Sequence, residues 1–235
     1  SSPSRGLGDV YKRQSLDFVE DTDLNRSVAE FLGDDRNFYI SNTVVSDIDT
    51  EYALSLWLKP DSYPTGTGNI QLFSDWVPNQ AYPTINGYLN HDGTVTIRQH
   101  ATNSTSAVYT STTASLPTNQ WSHLTLSWSS SDAEFNGLSV YLNGTLDIRN
   151  PAADQPPWNA VQPMLFGASQ ASDGTFYNQY VGRMADLRFW YTKLTDAQVT
   201  ALYNNGVETP EVTDTLTEGL ICLLYTSPSP RDGLL

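Results

Sequence analysis

Two kinds of grouping in this sequence could do chemistry: clustered carboxylates, and aromatic side chains set among amides. Asp17, Glu20 and Asp21 form one acidic group, and Asp47, Asp49 and Glu51 form another. Hydrolysis of a glycosidic bond needs two carboxylates flanking that bond. On a strand this means alternate positions of one face, as in E-x-D-x-E; that motif does not occur, and the two acidic groups are the nearest to it. Both acidic groups lie in polar stretches and read as solvated loop carboxylates. There is no G-x-S-x-G and no phosphate-binding loop. His91, His100 and His123 lack metal-ligand spacing. His123, two residues after Trp121, reads as a hydrogen-bonded core side chain. The one cysteine, Cys222, leaves no basis for a disulfide or a thiolate zinc site.

Sugar recognition needs planar aromatic surface for apolar sugar faces, with amides and carboxylates for the hydroxyls. Trp76, Tyr82, Tyr88, Trp158, Phe176 and Tyr177 are aromatics at loops or strand ends. Asp75, Asn79, Asn86 and Asn90 are their polar neighbours. Aromatics of a sandwich more often pack in its core or at its rim. Trp57, Trp121, Trp128 and Trp190 are assigned to packing.

The elements that must position these residues are short strands. Ala53–Lys59 alternates Leu54, Leu56 and Leu58 on one face and stops at Pro60. Gly87–His91 and Thr94–His100 pair across Asp92-Gly93, and Leu138–Leu142 and Leu146–Arg149 across Asn143-Gly144. Trp121–Ser129 alternates Leu124, Leu126 and Trp128 against His123, Thr125 and Ser127. The closing stretch places Val181, Met184, Leu187 and Phe189 on a strand, then a helix. Thr195 and Gln198 form a capping box, Leu194 and Val199 a staple, and Asn204-Asn205-Gly206 the stop. About ten strands with turn signals between them predict an antiparallel sandwich.

Several of these stretches, in this order, resemble the concanavalin A-like, laminin G-type jelly rolls. EFLGDDRNFYI resembles that family's opening strand pair, ALSLWLKP its S-x-W-V/L-K-P strand, and WSHLTLSW with LSVYLNGTL its centre. MLFG resembles its L-x-I-G strand, and Gly182 to Gly206 its closing strand and helix. The resemblance implies an all-β, two-sheet antiparallel jelly-roll sandwich with a short C-terminal helix over residues 15–207. It implies a non-catalytic binding module of an extracellular or cell-surface multidomain protein, recognising a glycan or another extracellular protein. A spacer domain without a ligand is the alternative, and a glycoside hydrolase is disfavoured by the missing carboxylate pair. Calcium is the usual metal of related jelly rolls. Asp34, Asp35 and Asp75 are its candidates by residue type, while Ala185 replaces an acidic residue often found beside the Asp186 position.

Ser4–Gln14 back-translates to a codon string whose reverse complement, read one base in, encodes Cys222–Arg231. Both ends resemble translated sequencing-adapter DNA, so residues 1–14 and 222–235 are set aside as not native. Residues 208–218, acidic and Thr-rich with Pro210, read as a linker, and 219–221 as the possible start of a further module. The formal net charge is −14. The tails carry four basic residues against two acidic ones, so the remainder is more acidic still. That balance argues against nucleic acid or anionic lipid as a partner. No apolar run is long enough for membrane insertion.

Overall fold

The computed structural model describes residues 13–14, 17–35, 37–40, 50–74, 85–100, 107–130, 137–153, 164–171, 173–206 and 220–224. The elements are β1 Arg13–Gln14, β2 Asp17–Asp21, β3 Arg26–Leu32, β4 Asn37–Ile40, β5 Glu51–Pro60, β6 Asn69–Ser74, β7 Ile85–Asn90, β8 Val95–His100, β9 Ala107–Ser111, β10 Ser122–Ser129, β11 Gly137–Leu142, β12 Thr145–Asn150, β13 Met164–Phe166, β14 Ser169–Gln170, β15 Phe176–Tyr177, β16 Val181–Trp190, helix α1 Asp196–Asn205 and β17 Leu220–Leu224.

Alternating apolar residues fold these strands into two antiparallel sheets. One runs β1-β4-β13-β6-β7-β8-β9, the other β12-β11-β10-β5-β16-β3-β2. Leu54, Leu56 and Leu58 of β5 and Leu124, Leu126 and Trp128 of β10 face Leu72, Ile97 and Phe166 of the opposite sheet in one buried cluster. Each such side chain contributes about 1.5–3 kcal/mol by leaving water. The predicted all-β jelly-roll sandwich with a short C-terminal helix is what the chain forms.

The closing strand departs from plain alternation. Met184 and Leu187 both reach the core although three residues apart. A bulge between Ala185 and Arg188 makes this possible, with Asp186 at φ 49°. The same bulge turns Asp186 and Arg188 to the outer side, where they form a buried ion pair at 2.7 Å. Helix α1 then folds back over that outer side. Its capping box forms as predicted, and Leu194 and Val199 share a cluster with Ala53, Tyr141 and Trp190. β3 pairs with Val181–Met184 only, which leaves the later part of that β16 edge open to another strand. β17 takes this place, Leu187 opposite Leu224. Its residues 222–224 fall in the tail set aside above.

One expectation is overturned. Asp17, Glu20 and Asp21 belong to β2, not to a polar loop. Asp21 is fully buried. It accepts hydrogen bonds from Arg183 (2.7 Å) and from the Trp121 indole N–H (3.1 Å), and lies 3.3 Å from the Lys59 ammonium. A buried carboxylate persists where such donors replace its water. Glu51 likewise opens β5 rather than lying in a loop, and it accepts from Ser129 and Thr192.

Candidate binding face on the seven-stranded sheet

Side chains alternate across each strand, so one face of β7, β8 and β9 is core and the other looks outward. Ile85, Leu89, Val95 and Ile97 point in. The register then sets two rows on the outer face. Asn86 lies opposite Arg98, and Arg98 opposite Tyr109. Gln71 lies opposite Tyr88, Tyr88 opposite Thr96, and Thr96 opposite Ser111. Gly87 separates Asn86 from Tyr88. A Cβ there would fall on the Phe73 ring beneath it.

The groups in these rows differ in how far they are satisfied. The Arg98 guanidinium sits 5.6 Å from the centre of the Tyr109 ring. Its Nε is buried without a hydrogen-bond partner. Asn86 is 7% exposed, and its Oδ1 also has no partner. Tyr109 is 56% exposed, the most open of the large apolar side chains described. Burial pushes the Tyr88 hydroxyl up to about 12, against the opposing pull of the Arg98 charge. Tyr88 therefore remains a hydrogen-bond donor at neutral pH. Gln71, by contrast, is used up: it donates to the Phe73 and Gly87 carbonyls and accepts from Ser169. Asn90 donates to Thr94 and Thr96 and so fixes the β7–β8 turn.

The residues predicted from sequence divide accordingly. Tyr88 lies in the middle of this face and Asn90 at its turn. Phe176 and Tyr177 form β15, which pairs with β14; Tyr177 is opposite Ser169, the residue bonded to Gln71. Tyr177 is 40% exposed. Tyr88 is thus a direct cross-strand neighbour of Gln71, and Tyr177 is linked to Gln71 through Ser169. Asp75, Trp76, Asn79, Tyr82 and Trp158 lie outside the described residues. Arg98 and Tyr109, which share this face, are not among the residues predicted from sequence. The signal for them was present: the Asp92-Gly93 turn fixes the register that puts Arg98 beside Asn86.

Asp34 and Asp35 sit exposed in the β3–β4 turn. Asp35 is latched to Gln179, which donates to its carboxylate at 2.9 Å and accepts from its N–H at 2.7 Å. Among the described residues no group of three acidic or histidine side chains could hold a metal. Calcium takes six to eight oxygens, so Asp34 and Asp35 do not by themselves fit it. Asp186 is committed to Arg188.

A cavity of about 360 Å³ lies on the other sheet, between β10–β11 and the start of α1. Two of its charged groups, Arg149 and Asp196, pair with each other. Tyr141 and Arg149 both donate to Asp196 Oδ1, at 2.7 and 2.6 Å. Ser127 exchanges hydrogen bonds with the Leu194 backbone. It presents no open aromatic face. His123, deeper under α1, shares a 2.7 Å hydrogen bond with Ser55 and packs beside Trp57. Burial, helped by the Arg188 charge, brings it down to about 3.

Solved structures share this architecture. The SAP-like pentraxin of Limulus polyphemus is 20% identical, with a TM-score of 0.52 over 74% of this chain and 82% of that one. Domain 4 of the extracellular arabinanase AbnA from Geobacillus stearothermophilus, solved with arabinotriose, is 20% identical, with a TM-score of 0.58 over 80% of this chain and 81% of that one. The binding domain of Paraclostridial Mosquitocidal Protein 1 is 13% identical at a TM-score of 0.65. It matches 88% of this chain, which spans half of that domain's length. At these identities the likeness is one of fold. No curated protein matches the sequence. Residues 32–200 match the sequence pattern of one family across the strands that build both sheets. The chain belongs to the laminin G-like family of the concanavalin A-like lectin/glucanases superfamily.

Proposed function

We propose that this chain is a non-catalytic glycan-binding module of an extracellular or cell-surface multidomain protein. The observation that carries the reading is the Asn86–Arg98–Tyr109 row beside Tyr88: open aromatic surface next to a buried, unpartnered amide oxygen. An aromatic ring stacks on an apolar sugar face, and a sugar hydroxyl supplies the donor that Asn86 Oδ1 lacks. The likeness to an arabinanase domain solved with arabinotriose supports a sugar ligand. The net charge of −14 disfavours nucleic acid. Among the described residues no helix is long and apolar enough to cross a membrane.

A second reading, contact with another extracellular protein, draws on the same exposed Tyr109. A glycan array on the 235-residue chain and on its Tyr88→Ala and Tyr109→Ala variants separates the two. Sugar binding lost in the variants supports the glycan reading; no signal on any glycan rejects it. Running the array with calcium and with EDTA tests the metal: binding lost in EDTA would show that the ligand is held through calcium.

A further inference from the structure

We propose that the sugar held on this face is acidic, carrying one carboxylate that docks on Arg98. The inference rests on the glycan reading and adds a ligand class to it. Four other described cations are each held by a carboxylate: Lys59 by Asp23 and Asp21, Arg149 by Asp196, Arg183 by Asp21 and Arg188 by Asp186. Among the described residues Arg98 makes no ion pair. Its contacts are the Tyr109 ring and the electrostatic influence it exerts on Tyr88. Arg26 forms no ion pair among the described residues either, but its charge acts on the Asp186 carboxylate, whereas no carboxylate among them is paired with Arg98.

The chemistry around it defines the ligand. A guanidinium binds a planar carboxylate through two parallel N–H donors. The Tyr109 ring lies 5.6 Å from the Arg98 guanidinium and is 56% exposed, which leaves ring surface for the sugar. Asn86, the register partner of Arg98 on its other side, offers a buried acceptor for a hydroxyl. Carboxylate, ring and hydroxyl at neighbouring positions describe one uronic or sialic acid residue. One cation in an acidic chain does not suit a densely sulfated polymer, which needs clustered Lys and Arg.

The test is titration calorimetry of the 235-residue chain with matched pairs. Trigalacturonic acid is set against its methyl ester, which masks the carboxylates, and sialyllactose against lactose. The first pair reports uronates and the second sialates. We expect one acidic probe to bind at least about tenfold more tightly than its uncharged partner, the range of one charged hydrogen-bonded contact. Arg98→Gln should remove that preference, so that the acidic probe and its uncharged partner bind the variant equally. The preference should also weaken with added salt. Equal binding of acidic and uncharged partners, or a preference untouched by Arg98→Gln, overturns the carboxylate assignment. If a neutral sugar still binds and Tyr109→Ala abolishes it, the glycan reading survives that failure. If no probe binds and the array is blank, both fall.

Discussion

Asp21 and Arg183, 162 residues apart in sequence, meet at 2.7 Å and tie the edge strand β2 to the closing strand β16. Burial alone would raise the Asp21 carboxyl. The hydrogen bonds from Arg183, Trp121 and the Leu24 N–H, with the Lys59 charge, outweigh it and bring it down to about 2. The unfolded chain holds this group near 3.8. Its stabilisation is therefore complete above about pH 4 and is lost as the pH falls toward 2. Asp21→Asn should cost about 2–4 kcal/mol near neutral pH and shrink in effect below pH 3, read by denaturant titration.

His123 gives the opposite residue type the same direction of pH dependence. Buried beneath α1, it stays neutral in the fold down to about pH 3, whereas the unfolded chain binds a proton near 6.5. As pH falls through that window the unfolded state gains protons that the native state refuses, so stability drops. The full difference is on the order of 4 kcal/mol. His123→Gln should flatten the stability slope between about pH 6 and about pH 4, whatever its effect at neutral pH.

Much of this architecture was legible. Leu54, Leu56 and Leu58 announce a strand by alternation, and Thr195 with Gln198 announces a helix start, because both signals are local. Asp21 was misread because its burial depends on Arg183 and Trp121, residues far away in sequence. The bulge at Asp186 was invisible for a related reason: spacing alone cannot say that Met184 and Leu187 share a face. On the proposed face, Tyr88 and Asn86 could be named by residue type, while placing Arg98 and Tyr109 beside them required the register of three strands.

The helix should be sensitive to its start. Thr195→Ala removes the acceptor for the Gln198 N–H at 3.3 Å and should cost about 1 kcal/mol. Val199→Ala, deep in the cluster with Trp190 and Tyr141, should cost about 2–3 kcal/mol. Thermal melts of the two variants should keep that order.

Gly87→Ala links stability to binding. The added methyl meets the Phe73 ring and must displace either the ring or the strand. Destabilisation of about 1–3 kcal/mol should follow. Because Gly87 lies between Asn86 and Tyr88, glycan affinity should fall in the same variant while the Asp21 and His123 pH effects persist.

The most direct measurement is an amide NMR titration of the isotope-labelled chain with trigalacturonic acid and with sialyllactose. The account predicts that at least one of them shifts resonances concentrated at Asn86, Tyr88, Arg98 and Tyr109, with α1 and the Asn143-Gly144 turn left unchanged. Shifts gathered instead around Arg149 and Asp196, or none with either sugar, would contradict it.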